Sequence, residues 1–378
     1  MKKFKQFMSL LMVTSMILCG CGAKTTGVND NTGSQESKEK VSTDSSKTST
    51  DGEKKKYKVS VAAQATSGQV FQYMAEKKGY LEEEGVEVEM IYINNGTDAF
   101  SALSSGQVDV ISTYGTGGPL IQIANGQEFT IFGGYMIIGE TPVYGLPDTK
   151  WESLEDFRGK SIAIMRGGTP DIVLKGILFD AGLLDEVKFV ELKKNPDVLQ
   201  AIQKGEVDFG ATSTGFQVQA AEMGLKVKMW PDDFWNNHSC CRMLAKTDWL
   251  ENNPEAIQAL LRAYLRAEQD MHEEGGMDQV VDLVVENLDL GRETVESFVK
   301  SPHMIYDTDP YVNSVVKMWN KMQDFKYIKD PTVKIEDHIE NQNYKKALDD
   351  LLERYPDSTY FKEKLEIYNT NNSKAYSK

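Results

Sequence analysis

The sequence predicts a two-lobed α/β protein with a helical C-terminal segment, and three observations carry that expectation. Strand-like and helix-like segments alternate from Tyr57 onward, and one block of that pattern recurs about 100 residues later. About 320 residues follow a polar leading stretch, more than a single compact core usually holds. The recurrence is close: Ala102-Leu103-Ser104-Ser105-Gly106-Gln107-Val108-Asp109-Val110 is echoed by Ala201-Ile202-Gln203-Lys204-Gly205-Glu206-Val207-Asp208-Phe209. In each copy a helix should end at the glycine and a buried strand begin after the aspartate. A weaker echo precedes each, Gly79-Tyr80-Leu81-Glu82 before Val86 to Ile93, and Gly182-Leu183-Leu184-Asp185 before Val187 to Leu192.

The elements of lobe 1 follow in order. Strands are expected at Val59 to Ala63, Val86 to Ile93 and Val108 to Thr113, and helices at Gly68 to Lys78, Asp98 to Ser105 and Gly118 to Ala124. Lobe 2 reads strands at Ser161 to Met165, Val187 to Leu192, Val207 to Thr212 and Leu225 to Trp230. Its helices fall at Asp171 to Ala181, Pro196 to Lys204 and Phe216 to Met223. Such alternation implies mostly parallel sheets covered on both faces. Phe129 to Ile138 reads as a strand leaving lobe 1 and Ser239 to Ala245 as the return, which makes a two-strand hinge. Lobe 1 is therefore expected to comprise 57–138 and 243–378, and lobe 2 to comprise 139–242. Beyond the return, helices are expected at Pro254 to His272, Met277 to Asn287, Arg292 to Lys300 and Pro310 to Phe325, with two more from Tyr344 and Tyr360.

The leading residues point to export. Lys2, Lys3 and Lys5 precede a mostly apolar run from Phe7 to Leu18, about a dozen residues, which suits a signal-peptide core better than a membrane span. The run ends in Leu18-Cys19-Gly20-Cys21, which resembles a bacterial lipobox, with Cys21 in the lipidated register and 1–20 as the signal peptide. That resemblance implies attachment to the extracytoplasmic face of the cell membrane through Cys21. Segment 21–56 is Ser, Thr, Lys, Asp, Gly and Asn with almost no apolar residue, so it reads as a disordered tether. With 42 Lys and Arg against 57 Asp and Glu, the chain carries a net charge of −15, more acidic still once the leading lysines are removed. A broad basic face for nucleic acid or anionic lipid is excluded, while an anion in a locally positive pocket is not. Only Cys240 and Cys241 would remain beside Cys21, so no disulfide framework is expected, and the protein should be a monomer.

Four stretches then carry a family resemblance. They are Ala75 to Val86, Gly96 with Ala102 to Asp109, Leu154 to Ala163, and Gly205 to Asp208, in that order within a match running from Tyr57 to Phe325. The ordered set resembles the binding proteins of the nitrate, sulfonate, taurine and thiamine-pyrimidine-precursor importers. The resemblance implies a periplasmic-binding-protein-like, type II Venus-flytrap fold, a small anionic or heterocyclic ligand held in the interlobe cleft, and delivery to a membrane ABC permease.

In parallel α/β sheets ligands bind beyond the carboxyl ends of the strands, where helix N-termini present free N–H groups. The loops so placed hold Gln64, Thr66, Asn95, Tyr114, Gly115 and Thr116 in lobe 1, and Arg166, Gly168, Thr169, Ser213 and Thr214 in lobe 2. Each loop alone could be an ordinary helix cap; five on one side of the sheets argue for a site. Arg166 follows an apolar strand directly and would suit a carboxylate, sulfonate or phosphate, or else pair with a protein carboxylate. Tyr114 could stack on a flat ligand or line the wall.

The segment Trp235 to Arg242 brings His238, Cys240, Cys241 and Arg242 close in sequence. His238 and Arg242 are ligand candidates. The two thiols could ligate a soft metal, but read better as small, buried, reduced residues, so no metal or cofactor is expected. Pyrimidine-precursor synthases carry a longer Cys cluster that this one resembles in part, which leaves an enzyme using 238–241 as the alternative to a binding protein. A sensor presenting ligand to a membrane receptor is a further alternative. No P-loop, G-x-S-x-G or metalloprotease pattern occurs, and the expectation is a non-enzyme.

Overall fold

The computed structural model describes residues 56–65, 68–329 and 331–372, so the signal peptide, Cys21, the tether and Thr66 lie outside the described residues. The first half of the chain runs β1 (Tyr57–Ala63), α1 (Val70–Lys77), α2 (Tyr80–Glu84), β2 (Val86–Tyr92), α3 (Gly96–Ser105), β3 (Val110–Ile111), α4 (Gly117–Ala124) and β4 (Phe129–Ile138). It continues through β5 (Val143–Gly145), β6 (Ser161–Met165), α5 (Thr169–Asp180), β7 (Lys188–Leu192), α6 (Asn195–Gln203), β8 (Phe209–Ala211), α7 (Gln217–Glu222) and β9 (Lys226–Met229). The return strand β10 (Cys241–Lys246) leads into α8 (Thr247–Asn252), α9 (Pro254–Met271), α10 (Gly276–Asn287) and α11 (Arg292–Val299). Strand β11 (Ile305–Tyr306) and helices α12 (Val312–Asp324), α13 (Gln342–Arg354) and α14 (Thr359–Asn371) complete the chain.

These elements build two sheets, ordered β2-β1-β3-β10-β4-β11 and β7-β6-β8-β5-β9. Within each, β-strands joined by helices run parallel, as right-handed crossovers require. Two strands of the first sheet and one of the second run the other way, the short edge strand β11 being antiparallel to β4. The reversed strand inside the first sheet is β10, which pairs antiparallel with β3 and β4; in the second it is β5, antiparallel to β8 and β9. Each sheet is thus completed by a strand that arrives from the chain of the other. The expected exit and return strands lie side by side, Leu244 opposite Ile131 and Ala245 opposite Thr130.

The sequence echo is a structural repeat. Gly106 and Gly205 end their helices in the left-handed region, at φ 73° and 69°. The following residues, Gln107 and Glu206, donate to the carbonyls of Ala102 and Ala201, both at 2.9 Å. One carboxylate oxygen of Asp109 accepts from Ser60 N and Oγ at 2.8 and 2.7 Å, and Asp208 accepts from Ser161 N and Oγ at 2.8 and 2.8 Å. The serines, in the middle of β1 and at the start of β6, are the half of the repeat that the sequence comparison does not reveal.

The long helices are placed by their apolar stripes. α1, α9, α10, α11 and α13 share a core with β1 and β4, built around Phe71, Leu260, Val284, Phe298 and Leu348. α12 instead contributes Val315, Met318 and Trp319 to a cluster that joins Ile111 of the first sheet to Ile162 and Ile172 of the second half. Below β4 lies a buried charge network. Lys364 Nζ is 2.9 Å from Glu268 and also contacts Asp307, and all three side chains are nearly inaccessible. Gly134 is required there: a Cβ would collide with the carbonyl oxygens of Asp307 and Asp309.

The repeated Ser–Asp clamps should be equivalent in energy. Asp109→Ala and Asp208→Ala each remove hydrogen bonds to a part-buried strand serine and should each destabilise by about 1–3 kcal/mol. Because they lie in different sheets, the double variant should show the sum within about 0.5 kcal/mol. Urea denaturation of the three variants checks this.

Candidate functional site

The expected site residues divide into three groups. Gly115, Thr116 and Thr169 meet where the two halves touch. Thr116 Oγ1 and Thr169 Oγ1 both donate to the carbonyl of Cys240, at 3.3 and 3.0 Å, and Thr116 N approaches Thr169 Oγ1 at 3.4 Å. Gly115 has φ 76°, and a Cβ there would lie 2.7 Å from Thr169 Oγ1, so this close approach needs glycine. Thr214 donates to the carbonyl of Glu140 at 3.4 Å, and His238 is fully buried close by.

A second group serves the scaffold. Asn95 caps α3, accepting from Asp98 N at 2.8 Å, and is exposed. Tyr114 spends its hydroxyl on Ile93 O at 2.7 Å and turns its ring toward Phe100. Gln64 N donates to Thr113 Oγ1 at 2.8 Å, Ser213 N to Asn195 Oδ1 at 3.2 Å, and Gly168 is the N-cap position of α5. Thr66 lies outside the described residues.

The two arginines are corrections. Arg166 does not stand in a cleft: its side chain is 62% exposed and pairs with Glu191 on the adjoining strand β7 at 2.7 Å. A carboxylate on the neighbouring strand end satisfies the guanidinium in solvent, so nothing draws it inward. With Lys175 and Tyr327 it lines a shallow outer groove of about 300 Å³. Arg242 is buried instead, with Nη1 donating to Asp309 O at 2.6 Å and Nη2 donating to Met136 O. It ties β10 to the loop after β11, with Asp307 and Asp309 supplying compensating charge.

What the sequence reading missed is a set of buried polar groups at the crossing between the sheets. Glu140 and Thr141 follow β4 directly, and both are almost fully buried. Glu140 Oε1 accepts from Gln217 of α7, whose amide also reaches Ser297 O of α11 at 3.4 Å. No well-formed hydrogen bond reaches Oε2, although Ser301 and the Gly215 backbone lie against the carboxyl, nor the hydroxyls of Thr141, Tyr144, Thr212, Ser239 and Tyr306, or Nε2 of His238. Buried polar groups are satisfied in the great majority of cases, so a cluster of exceptions makes this crossing the candidate site. The one available sequence signal was Glu140-Thr141-Pro142, an acid closing an all-apolar strand at the expected hinge.

Burial dominates the electrostatics. It pushes the Glu140 carboxyl up to about 7; Ser301, Gln217 and the Gly215 backbone pull it back, and Asp232 raises it further. Burial lowers His238 to about 4, leaving it neutral at pH 7. Asp232 itself is held by His303 Nδ1 at 2.8 Å, and the His303 ring stacks on Trp230 at 3.8 Å and 9°. The thiols of Cys240 and Cys241 are 3.7 Å apart and buried. Among the described residues no three His, Cys, Asp or Glu side chains converge as a metal site would need.

Two α/β sheets that exchange a strand between the halves of the chain have the architecture of the periplasmic-binding-protein class of fold. A family model described as NMT1/THI5 like matches residues 68–275, and the chain belongs to that family. The periplasmic aliphatic sulphonate binding protein of Escherichia coli shares the fold at a TM-score of 0.64 and 19% identity, over 75% of this chain and 92% of that one. The periplasmic nitrate-binding protein of Synechocystis PCC 6803 does so at 0.63 and 13%, over 78% and 89%. In sequence, a 4-amino-5-hydroxymethyl-2-methylpyrimidine phosphate synthase of Schizosaccharomyces pombe is 27% identical over 220 residues, 53% of this chain and 60% of that protein's length.

The raised Glu140 carboxyl has a stability consequence. Its value is 4.5 in the open chain and about 7 when folded, so both states hold the proton below about pH 4 and neither is favoured. Between 4.5 and 7 the unfolded chain loses it first, so folding stability declines as pH rises through that window. Glu140→Gln removes the decline. It should exceed the wild type by about 2–3 kcal/mol at pH 8 and converge with it near pH 4, measured by urea denaturation at both values.

Proposed function

We propose that this protein is the extracytoplasmic solute-binding component of an ABC importer, lipid-anchored through Cys21, that holds a small molecule at the crossing between its two sheets. The observation that carries this reading is the cluster of buried polar groups lacking well-formed hydrogen bonds where both halves of the chain converge, from Glu140 and Thr141 to Thr212 and Ser239. The roles named for the E. coli and Synechocystis neighbours support it, since both are periplasmic binding proteins. So does the export-type leading sequence.

Ligand docks on one lobe, and rotation about the two crossings brings the other over it; the closed form is what the permease engages. Contacts from both sides supply the differential affinity that closure requires. In this reading Thr116 and Thr169, which meet at the Cys240 carbonyl, serve as a latch between the halves.

The synthase relationship favours a second reading, an enzyme acting through His238, Cys240 and Cys241. Against it stand the export-type leading sequence and the absence of a third donor beside the two thiols among the described residues.

Mass spectrometry of the denatured full-length protein, followed by thermal-shift titration with any released compound, tests the proposal. A small molecule should come off unaltered and raise the melting temperature, with about 2.7 kcal/mol of stabilisation at 100 times its dissociation constant. Recovery of a chemically converted product would favour the enzyme. A protein with no ligand, stabilised by no solute, would overturn the binding role.

A further inference from the structure

Two thiols stand where both passages of the chain between the sheets meet. Cys240 and Cys241 are each 5% exposed, their sulfurs are 3.7 Å apart, and both are free. Cys240 N donates to Ile137 O of β4 at 3.1 Å, and its sulfur packs so closely on Gly139 that a Cβ there would collide with it. The carbonyl of the peptide joining the two cysteines, that of Cys240, is where Thr116 from one half and Thr169 from the other converge, at 3.3 and 3.0 Å. The thiols and the contact between the halves therefore share one peptide group.

That peptide cannot keep its orientation if the sulfurs join. Neighbouring Cα atoms lie about 3.8 Å apart across a trans peptide, whereas a disulfide usually spans about 4.4–6.8 Å between its Cα atoms. A bond between adjacent cysteines closes only when the intervening peptide turns, and its carbonyl turns with it. The surroundings allow that movement. Asn237 and Ser239 are held in the left-handed region, at φ 51° and 59°, and the pairing of β10 is interrupted by a register shift between Cys241 and Arg242. The Cys240–Cys241 peptide thus lies at an irregular strand start rather than inside a continuous ladder.

The two sulfurs are also unlike. The contact from Cys240, opposed by burial and reinforced by the Gly115 backbone and the Arg242 charge, holds the Cys241 thiol below its usual range. The same contact, together with burial, raises the Cys240 thiol. Cys241 is the nucleophile of the pair and Cys240 the resolving thiol.

We propose that Cys240 and Cys241 form a peroxide-responsive dithiol whose oxidation to a vicinal disulfide turns the Cys240 carbonyl away from Thr116 and Thr169 and releases the contact between the halves. The Cys241 thiolate attacks one oxygen of hydrogen peroxide, the O–O bond breaks, and hydroxide leaves with a sulfenic acid formed on Cys241. Cys240 gives up its proton and attacks that sulfur, the S–O bond breaks, and the oxygen departs as water. The two thiols lose two electrons and two protons, and the peroxide becomes two waters. A thiol reductant reverses the step by exchange. This device goes beyond solute binding and does not depend on which solute is held.

Peptide mapping and hydrogen–deuterium exchange of the full-length protein, before and after hydrogen peroxide, test it. Oxidation should leave the tryptic peptide 229–242 lighter by two hydrogens and closed to alkylation, and dithiothreitol should restore both thiols. Exchange over 116–120 and 169–174 should speed by about fivefold or more, what the loss of one neutral hydrogen bond gives, and should slow again on reduction. Cys241→Ser should show no response of these segments to peroxide. Thr169→Val should already exchange faster there when reduced, with a smaller further change on oxidation. Circular dichroism identifies a serine variant that has not folded, and the wild type and Thr169→Val then carry the comparison. Both cysteines still open to alkylation after peroxide, or Cys241 carried on to the sulfinic acid, overturns the proposal. A disulfide that leaves exchange over 116–120 and 169–174 unchanged overturns it equally. Neither result bears on solute binding, which recovery of a bound compound decides separately.

Discussion

The structure depends on one topological constraint: each sheet borrows an antiparallel strand from the other half of the chain. β5 enters the second sheet directly after β4 leaves the first, and β10 enters the first directly after the segment that follows β9. The backbone must therefore pass twice through the region where the halves meet, in the interior. Interior backbone has to find partners, and the threonines do part of that work by converging on the Cys240 carbonyl. The glycines at 115 and 134 permit the close approaches that the passage forces.

The same constraint explains why polar side chains collect there. A crossing cannot be an uninterrupted apolar strand, since the strand must end and the chain must turn within the protein. Glu140, Thr141, Ser239 and His238 stand at those endings, buried because the halves close over them. Some are matched by the scaffold, as Arg242 is by carbonyls and by Asp307 and Asp309. Others are not, and a buried carboxyl held near neutrality is stability given up at that point.

Most of the fold was legible in the sequence because parallel α/β units write themselves as alternating apolar strands and capped helices. The Ala102 and Ala201 copies specified the duplication, and β4 and β10 occur where exit and return strands were expected. Short elements were lost: α2, α8, β11 and the three-residue β5 have too little periodicity to register, although β5 completes a sheet. The site was less legible. Strand-end loops told where the halves meet, and Gly115, Thr116, Thr169, Thr214 and His238 do come together there. Whether an arginine faces a cleft or a neighbouring group depends on tertiary partners, which is why Arg166 pairs with Glu191 at the surface and Arg242 is spent on backbone carbonyls. Glu140 was legible only as an acid closing an all-apolar strand, which does not by itself distinguish a buried acid from one that ends a strand in water.

Hydrogen–deuterium exchange of the full-length protein, with and without the compound that most raises its melting temperature, tests the central claim that the crossing is the binding site. The account expects exchange to slow in 139–145, 212–217 and 235–241 together, from both halves of the chain, while α13 stays unchanged. Protection confined to the outer groove at 166–168 and 325–327, or spread evenly over the helices, would contradict it.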